Sequence, residues 1–503
     1  MQININTLYK KLYTMAFLGC IAVLPMSDTI ALRNIFLVVM LLLIFLRLIY
    51  SWDFRRDFSA IIKNIPLPLI LWILYLFLFP LWAPMPEIAW QNLKGQWAES
   101  IVAWVVGWGA AAILSRSDLS MWKLGIASAF PILVHLLLAG ISYFGIFSAE
   151  YYANQNLGGL LTEIFHWFHG EFAPNSQHHP ISSGFLGIET QQGNLGYASS
   201  MAIGIFSVQF FYAKRNDNFR EMVQTSVAVL LCFLSVLICR TRGGFIFGLL
   251  MIGLAAIAVK LPDQSLRVEK IGPRRLYRYS LHRNFVLASF VLILFGLGYL
   301  GTTADPRWKT MIDKVKAGFF ISDPISTLCK GLSPEEELTI RERLALNPES
   351  YVQEVIDGVK GQDGGRVILM RAGVQLVLKN PLGLDGSRQS YERLIRVECD
   401  GAPVLNFANA HNSWIDLCLS LGWPGGLLFA TMLVFFVKSS FLKNTEISLM
   451  PFVSVLLIYS TFWLIRGFFD AVYREHYLQM QALMIGYLHM AFFVNNSRLI
   501  PIR

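Results

Sequence analysis

Long apolar segments recur from one end of this 503-residue chain to the other. A bilayer core is crossed by about 17 to 25 helical residues, and only helices or closed barrels cross it because every backbone polar group needs an internal partner. The segments are far longer than the roughly ten residues of a barrel strand. With 55% hydrophobic and 15% charged residues, the chain cannot hide its apolar groups in one soluble core. The sequence therefore predicts an all-α integral membrane protein.

Hydropathy and length place about twelve transmembrane helices along the chain, nine within residues 1–301 and three within 411–503. The first apolar segment follows Lys10 and Lys11 and lacks a small-residue cleavage signature, so we expect an uncleaved helix rather than a signal peptide. The predicted spans lie near 13–27, 32–50, 66–82, 98–114, 124–147, 196–213, 222–240, 243–260, 285–301, 411–437, 448–465 and 477–494.

Lysine and arginine are concentrated in alternate loops between these spans, for example in 260–283. Cytoplasmic loops carry such an excess, so these loops and both termini are predicted to face the cytoplasm. The formal net charge of +9 is then explained by topology. Because the basic residues are dispersed rather than gathered in one stripe, nucleic-acid binding is not expected.

Three segments on the opposite, outer side are long enough to carry function: the short segment 83–97, which holds Lys94, and the longer segments 148–195 and 302–410. The largest one is predicted to form a helical cap. Ser333 before Pro334, with Glu336 three residues on, is typical of a helix start. The predicted cap helices cover 305–320, 333–346, 347–361 and 365–379.

Two of these cap helices have apolar residues at helical spacing along one face. In the first, this face holds Trp308, Ile312, Val315 and Phe319, which predicts an amphipathic helix that lies on the membrane or packs on the bundle. In the last, it holds Val367, Met370, Val374 and Leu378.

Six cysteines are scattered along the chain without zinc-ligand spacing. Cys329 and Cys399 share the large outer segment and would meet an oxidising compartment there. We predict a disulfide between them, with two free thiols as the alternative.

His411 stands at the mouth of a long apolar helix, where polar side chains are costly and often functional. Asn412 follows it directly and Asp416 lies about one turn further along, so both could orient the imidazole as a base. The alternative is an interfacial histidine without a chemical role.

Arg240 and Arg242 interrupt another apolar run, at a predicted outward turn. Gly243 and Gly244 follow and would let the backbone bend or approach a ligand closely. The alternative is that these arginines only mark a helix end. Two arginines on the outer side, however, run against the usual excess of Lys and Arg on the cytoplasmic side.

Further outward-facing arginines could bind an anion. Arg366 follows Gly364 and Gly365 at a predicted helix start, where its guanidinium and the free backbone N–H groups could converge on one phosphate. Arg371 lies further along that helix and is a secondary candidate. In the last outer turn, Arg466 and Arg474 could complete an anion site or pair with the acidic residues beside them, Asp470 and Glu475.

The sequence has no Walker loop, GxSxG elbow, HExxH or Asp-x-Asp motif. Many membrane glycosyltransferases with polyprenyl donors keep acidic motifs in an early outer loop, where this chain has only Asp28. A reaction without a metal ion, redox cofactor or nucleotide is therefore expected.

Three motifs resemble the bacterial O-antigen ligase and polymerase superfamily, most closely its ligases. The topology is similar over the whole chain, and the motifs lie between about 240 and 426. They are Thr241-Arg242-Gly243-Gly244, Gly365-Arg366 followed by Asn380-Pro381-Leu382-Gly383, and His411-Asn412-Ser413-Trp414 continuing to Gly422 and Gly425.

The resemblance implies a GT-C-like glycosyltransferase in the bacterial inner membrane, with a periplasm-facing active site. Such ligases transfer a glycan from undecaprenyl diphosphate to a sugar hydroxyl of lipid A-core, which completes lipopolysaccharide. Carried onto this chain, the family roles make Arg242 and Arg366 the ligands of the donor diphosphate and His411 the base for the acceptor hydroxyl. The interval between the two arginines is longer than is usual in the family.

Other functions remain open. A polymerase that extends the lipid-linked glycan, or a relative that glycosylates protein, would share the donor site and topology. A transporter or flippase of lipid-linked glycan is a further alternative, but it would be expected to show an internal repeat and charged residues near the midplane. Neither is visible in the sequence, whose polar residues are predicted to lie at one face.

Overall fold

The computed structural model of the protein describes residues 5–26, 29–114, 118–146, 148, 157–170, 192–239, 241–260, 273–304, 307–361, 363–441, 450–473 and 475–497. All regular secondary structure in these residues is helical. The first eight helices are α1 (Ile5–Val23), α2 (Ile30–Tyr50), α3 (Trp52–Lys63), α4 (Leu67–Leu78), α5 (Pro86–Asn92), α6 (Ala98–Ile113), α7 (Met121–Tyr143) and α8 (Leu157–Phe168). Short helical turns follow α4 (Phe79–Leu81) and α5 (Leu93–Trp97).

The second half of the chain adds the remaining bundle helices and the cap. The bundle helices are α9 (Gln192–Arg215), α10 (Phe219–Ile238), α11 (Arg242–Lys260), α12 (Pro273–Ala304), α19 (Ser413–Ser439), α20 (Met450–Arg466) and α21 (Glu475–Ser497). The cap, defined here as residues 307–412, contains α13 (Arg307–Phe320), α14 (Pro324–Lys330), α15 (Pro334–Arg343), α16 (Glu349–Gly361), α17 (Asp363–Lys379) and α18 (Ser390–Glu398).

Each of the twelve predicted spans coincides with a helix, but not all of these helices are membrane spans by length and apolarity alone. Within the described residues, seven helices qualify, and α3 with α4, bent by 85°, would make an eighth. The predicted number of twelve therefore stays a prediction. The helix predicted over 285–301 begins earlier, at Pro273, because the apolar run marks only the part that suits a membrane.

Helix α9 occupies the centre of the bundle, and 94% of the residues in its apolar stretch of 18 residues are buried. It packs against α7, α10, α11 and α20. Small residues such as Ala198, Ser199 and Gly204 let neighbouring helices approach closely. In α12, by contrast, only 6% of the residues in the corresponding apolar stretch are buried, so this helix lies at the edge of the bundle.

Helix α19 is not the continuous span predicted over 411–437, because it breaks at Gly422, whose φ is +78°. A Cβ atom at Gly422 would lie 2.5 Å from the carbonyl carbon of Leu382. The backbone that follows α17 is therefore pressed against the break. Pro424, which has no N–H for the helical ladder, stands two residues after the break, so α19 itself as well as the cap segment favours the break.

The carbonyl and N–H groups freed at this break find partners, as they must inside a membrane protein. Leu384 and Gly386 donate their N–H groups to the carbonyl of Ser420 at 3.3 and 3.0 Å. Trp423 donates to the carbonyl of Pro381 at 2.9 Å, and the Tyr75 hydroxyl donates to the carbonyl of Leu421. The Pro381–Gly386 segment thus joins the cap to both halves of α19.

The cap has its own apolar core, to which Ile415 and Leu419 of α19 also contribute. The predicted helix start at Ser333 is confirmed as a capping box with Glu336. Val374 and Leu378 of the predicted α17 face are exposed, and the helix buries a set of residues of which only Val367 belongs to that face. That set is Val367, Ile368, Leu369, Ala372, Gly373, Leu376 and Val377.

Helix α13 likewise buries a face that apolar spacing does not mark. Ile312 and Phe319 are exposed, which favours contact with a membrane surface over packing on the bundle. Lys314 is almost fully buried against α16, where its Nζ lies 2.8 Å from Oε1 of Glu354. The ion pair lets a lysine occupy the cap interior.

Candidate functional site

The cap meets the bundle where α11 and α19 begin and where α20 ends. Five polar residues from distant parts of the sequence gather at this junction. They are Arg242, Arg366, His411, Arg466 and Asp470.

Asp470 is the acidic centre of this group. Its carboxylate accepts a hydrogen bond from the Tyr197 hydroxyl at 2.6 Å and one from Nη2 of Arg466 at 3.2 Å. Burial opposes ionisation, but His411, Arg466, Tyr197 and Arg366 outweigh it and hold the pKa of Asp470 well below its usual range. Asp470 is therefore a fixed negative charge at neutral pH.

The loop that carries Asp470 is tied to the start of α19. Ser413 donates its N–H to the carbonyl of Gly467 at 2.7 Å, and its hydroxyl donates to the carbonyl of Asp470 at 2.6 Å. The Ser413 hydroxyl also accepts the N–H of Tyr473 at 3.2 Å. These bonds fix the position of Asp470 relative to His411.

His411 faces Asp470, with Nδ1 3.8 Å from Oδ1. At this separation the contact is electrostatic rather than a hydrogen bond. The imidazole is partly exposed, at 29%, so a substrate can reach it. His411 has a φ of +50°, an uncommon conformation for a residue with a side chain and one often found at functional sites.

The neighbours of His411 hold its backbone in place. The N–H of His411 donates to Oδ1 of Asn409 at 2.9 Å, and the N–H of Ala410 donates to Oδ1 of Asp416 at 2.9 Å. Asn412 caps α19 by accepting the N–H groups of its first turn and donates to the carbonyl of Phe468. Asn412 and Asp416, predicted to orient His411, thus position its backbone, whereas Asp470 faces its ring.

Arg242 links the first turn of α11 to the first turn of α17. Its guanidinium lies 2.8 Å from Oδ2 and 3.0 Å from Oδ1 of Asp363, and both side chains are mostly buried. The ring of Trp308 lies 6.0 Å from the guanidinium carbon. Arg242 is therefore held at the boundary between cap and bundle, with the ring of Trp308 beside it.

Arg366 lies one helical turn after Asp363, so the two residues share a face of α17. Its side chain is exposed and makes no hydrogen bond or ion pair within the described part of the chain. Its charge nevertheless acts on Asp470 and favours the ionised carboxylate. The structure thus brings Arg242 and Arg366 to one region, with the guanidinium of Arg366 available to an anion.

The glycine pair after Arg242 makes room for other groups. A Cβ atom on Gly243 would lie 2.8 Å from Nη1 of Arg466, and one on Gly244 would lie 3.0 Å from the Cα of Gly196. The Arg466 guanidinium also lies 4.7 Å from the ring centre of Tyr197 and 4.5 Å from that of Phe247. Arg466 is therefore enclosed, and Gly243 is part of its enclosure.

The other predicted site residues have different positions. Arg371 donates to the carbonyls of Gly318, Phe319 and Ile321. The carbonyl groups at the end of α13 thus have a hydrogen-bond donor, and the Arg371 guanidinium is occupied. Cys329 and Cys399 form a disulfide in the structure, with their Cα atoms 5.2 Å apart. Arg240 and Arg474, and most of the predicted loop 148–195, lie outside the described residues.

A small cleft of about 20 Å³, with room for about one water molecule, lies beside the turn that carries His411. Gln96, Trp97 and Arg388 line it together with Asn409 and Asp416. Gln96 and Trp97 donate to the carbonyl of Gly386 at 3.1 and 2.9 Å, so these two side chains are held in place.

Sequence reasoning missed two groups of this site and the position of a third. Asp363 gave no signal beyond its place before Gly364 and Gly365. Tyr197 lies inside an apolar run and looks like an ordinary core residue. Asp470 was noted in the last outer turn, but its position opposite His411 is set by the Ser413 contacts and not by spacing in the sequence.

Comparison with known proteins agrees with the predicted resemblance. Residues 227–430 match the family model Wzy_C, described as O-antigen ligase. No curated protein matches the chain. The match includes Arg242, Asp363, Arg366 and His411, and it supports a membrane enzyme of the O-antigen ligase or polymerase type. The predicted resemblance to the O-antigen ligase superfamily is therefore confirmed over residues 227–430.

Proposed function

We propose that this protein is a glycosyltransferase that joins O-antigen polysaccharide from undecaprenyl diphosphate to a sugar hydroxyl of lipid A-core. The observation that carries the proposal is the meeting of Arg242, Arg366 and His411 at one junction, inside one O-antigen ligase domain. Two basic groups that suit a diphosphate and one partly exposed imidazole are the minimum that this reaction needs.

In the proposed reaction, the bond between the anomeric carbon and the diphosphate oxygen breaks, and the diphosphate leaves with the electron pair. Arg242 and Arg366 stabilise the negative charge that develops on it, in a site partly shielded from water. The acceptor oxygen attacks from the opposite face, so the anomeric centre is inverted. Its proton passes to His411, and the nearby Asp470 carboxylate stabilises the imidazolium that forms.

Asp363 has a defined part in this scheme. It occupies Arg242 when no donor is bound, so it stands where phosphate oxygens would bind. The donor diphosphate would share or replace this contact. Arg366, which has no such partner within the described residues, would supply the second guanidinium.

One hydroxyl group of the acceptor would reach the small cleft beside the His411 turn. Asn409 and Asp416 line the cleft and also hold that turn, so acceptor contacts there would lie close to the base. Gln96→Ala should therefore raise the KM for acceptor more than the KM for donor. Equal effects on both would argue against this path.

The reaction should take place on the periplasmic side of the bacterial inner membrane, because the Lys/Arg bias places the cap on that side. Membrane-impermeant thiol labelling of whole cells tests this orientation. A new cysteine near Lys316 in the exposed part of the cap should be labelled, whereas one near Lys270 should not. Labelling at Lys270 alone would reverse the topology.

Deletion of the gene followed by lipopolysaccharide electrophoresis tests the reaction. A ligase mutant should leave lipid A-core bare while polymerised glycan accumulates on its lipid carrier. A polymerase mutant would instead leave single units on lipid A-core, and an unchanged lipopolysaccharide with altered glycoproteins would point to protein glycosylation. Loss of all glycan export to the periplasm would point to a transporter.

Purified enzyme tests the assigned roles. His411→Ala should lower the transfer rate by about a hundredfold to ten-thousandfold, the usual contribution of a general base. Arg242→Lys and Arg366→Lys should also impair transfer, because a point charge does not reproduce the planar fork that grips phosphate oxygens. Activity should survive EDTA. Loss of activity on chelation with recovery in Mg²⁺ would contradict the proposed mechanism and turn attention to Glu398 and Asp400.

A further inference from the structure

Helix α13 of the cap exposes a face on which basic and apolar residues alternate. This face, called here the α13 stripe, consists of Lys309, Ile312, Lys316 and Phe319, all of which are exposed. Their spacing of three, four and three residues places them on one side of the helix. None of the reaction steps described above uses this face.

The α13 stripe carries an excess of positive charge. Asp313 is the one acidic residue in the sequence of α13, and its Oδ2 accepts a hydrogen bond from the Tyr351 hydroxyl of α16 at 2.6 Å. Lys316 lies 3.6 Å from Oδ1 of Asp313, but 62% of the lysine side chain is exposed. The Lys309 side chain makes no hydrogen bond or ion pair within the described residues. Both ammonium groups can therefore reach an anionic ligand outside the protein.

The position of the α13 stripe follows from the helix before it. Helix α12, in which only 6% of the residues of the apolar stretch are buried, ends at Ala304, and α13 begins at Arg307. Near its end α12 exposes Tyr299 and Leu300, at 70% and 61%. A helix that starts three residues after such a span and exposes lysine, isoleucine and phenylalanine suits the headgroup layer of a membrane. Its apolar side chains enter the layer there, while the lysine ammonium groups stay in water.

We propose that the α13 stripe binds the headgroups of anionic phospholipids at the membrane surface. Charge complementarity selects the occupant, because Lys309 and Lys316 match the lipid phosphates while Ile312 and Phe319 match the adjoining hydrocarbon. A zwitterionic headgroup offers the same phosphate but adds a cation that the lysines repel, so lipids with net negative charge are favoured. The inference goes beyond the proposed function, since it concerns a lipid that is not a substrate.

The same helix supports the one that carries Arg366. A Cβ atom on Gly318 of α13 would lie 2.5 Å from the carbonyl oxygen of Gly364, so the two helices touch through their backbones two residues before Arg366. Arg371 of α17 adds hydrogen bonds to the end of α13, among them one to the carbonyl of Ile321 at 2.6 Å. Lipid bound to the α13 stripe should therefore also hold Arg366 in position.

Photo-crosslinking of the full-length protein in lipid nanodiscs tests the lipid contact. A benzophenone side chain at position 319 should crosslink to radiolabelled phosphatidylglycerol in preference to radiolabelled phosphatidylcholine. The same group at position 338 is the matched control, because Phe319 and Leu338 are both apolar cap residues exposed at 55%, but Leu338 lies on α15. Equal capture of phosphatidylglycerol at both positions, or equal capture of the two lipids at position 319, would overturn the proposal.

The two lysines should account for the lipid preference. Combining Lys309→Gln with Lys316→Gln should lower the phosphatidylglycerol preference at position 319 by about tenfold at low ionic strength, since each lysine near an anionic surface favours binding up to about fivefold. Lys330→Glu is the control, because it changes the net charge of the cap by the same amount at an exposed position of α14. An equal loss in Lys330→Glu would mean that the overall charge of the cap, and not the α13 stripe, selects the lipid.

A transfer assay tests the link to Arg366. In nanodiscs of phosphatidylcholine alone, kcat/KM for the donor should be about tenfold lower than with phosphatidylglycerol, while the KM for acceptor stays unchanged. The variant with both glutamines should show the lower value in both lipids. An unchanged kcat/KM would overturn the link between α13 and Arg366. If wild-type enzyme transfers no glycan in either lipid, the proposed function itself fails, and crosslinking still decides whether the α13 stripe binds anionic lipid.

Discussion

The carboxylate of Asp470 faces the imidazole of His411, with Oδ1 3.8 Å from Nδ1. The two residues belong to different loops, and the Ser413 contacts hold those loops together. Tyr197 and Arg466 fix the other carboxylate oxygen. Asp470 is therefore held where it can favour the protonated form of His411 without binding substrate itself.

Replacement of Asp470 by asparagine should lower kcat and leave the KM values for donor and acceptor nearly unchanged. The loss should be smaller than the roughly 10²- to 10⁴-fold loss expected for His411→Ala. Removal of the negative charge disfavours the imidazolium, so the acid limb of the pH–rate profile should move to lower pH. Asp416→Asn is the control, because an amide oxygen can still accept from Ala410 N–H. A shift with Asp416→Asn alone would assign the tuning role to Asp416.

The same carboxylate should contribute to stability over a defined pH range. Its folded-state pKa is depressed, so its contribution is present above the unfolded-state pKa of about 3.9 and is lost only as pH falls through the folded value. Wild type should thus exceed Asp470→Asn in thermal stability by a constant amount between about pH 5 and 8. A difference that already shrinks between pH 7 and 5 would contradict the depressed pKa.

The Arg242–Asp363 pair allows two possible roles of Arg242 to be separated, docking of the cap on the bundle and binding of the donor diphosphate. Asp363→Arg alone should loosen the start of α17 and increase protease cleavage of the cap, because two cations would face each other. Adding Arg242→Asp should restore the ion pair and protease resistance. Transfer should remain absent in the double variant, because no guanidinium then projects from α11. Recovery of transfer would mean that Arg242 serves only to dock the cap.

The helix starts in the cap could be predicted because their signals are local. The capping box of Ser333 and Glu336 needs only residues within one turn. The buried face of α17 could not be predicted, because it depends on which neighbours surround the helix in the folded cap. Exposed Val374 and Leu378 satisfy the spacing rule as well as buried Ile368 and Leu369 do.

The candidate site likewise combines residues with local sequence signals and contacts that only the fold creates. Arg242, Arg366 and His411 were predicted as site residues from motifs that stand at helix starts in the sequence. Their meeting at one junction depends on Asp363 and Asp470. Asp363 gives no sequence signal, and Asp470 lies far from His411 in the sequence. Local spacing pointed to Asp416 as the partner of His411, but the fold places Asp470 opposite the ring and uses Asp416 for the backbone.

The break at Gly422 should be essential for folding. Gly422→Ala would place a side chain at a φ of +78° and 2.5 Å from the carbonyl carbon of Leu382. The left-handed conformation alone costs about 1–2 kcal/mol, and the clash adds to it, so the yield of folded protein and the thermal unfolding midpoint should both fall. Gly296→Ala is the control, since a Cβ there meets nothing within 4 Å. Equal stability of the two variants would show that α19 can form without the break.

The last prediction concerns the contact between Gly243 and Arg466. Gly243→Ala would bring Cβ within 2.8 Å of Nη1 of Arg466. The guanidinium has little room to move, because Tyr197 and Phe247 lie against it and Asp470 binds it. Its displacement would disturb the carboxylate that faces His411, so kcat should fall about tenfold, equivalent to 1.4 kcal/mol.

Gly253→Ala is the matched control, since it lies in the same helix and a Cβ there meets nothing within 4 Å. Lysine at position 466 would lack the planar group that meets the new methyl group. Gly243→Ala should therefore cost less in an Arg466→Lys background than in wild type, as expected for residues in direct contact. If the two effects simply add, Gly243 does not act through Arg466, and its role is confined to the start of α11.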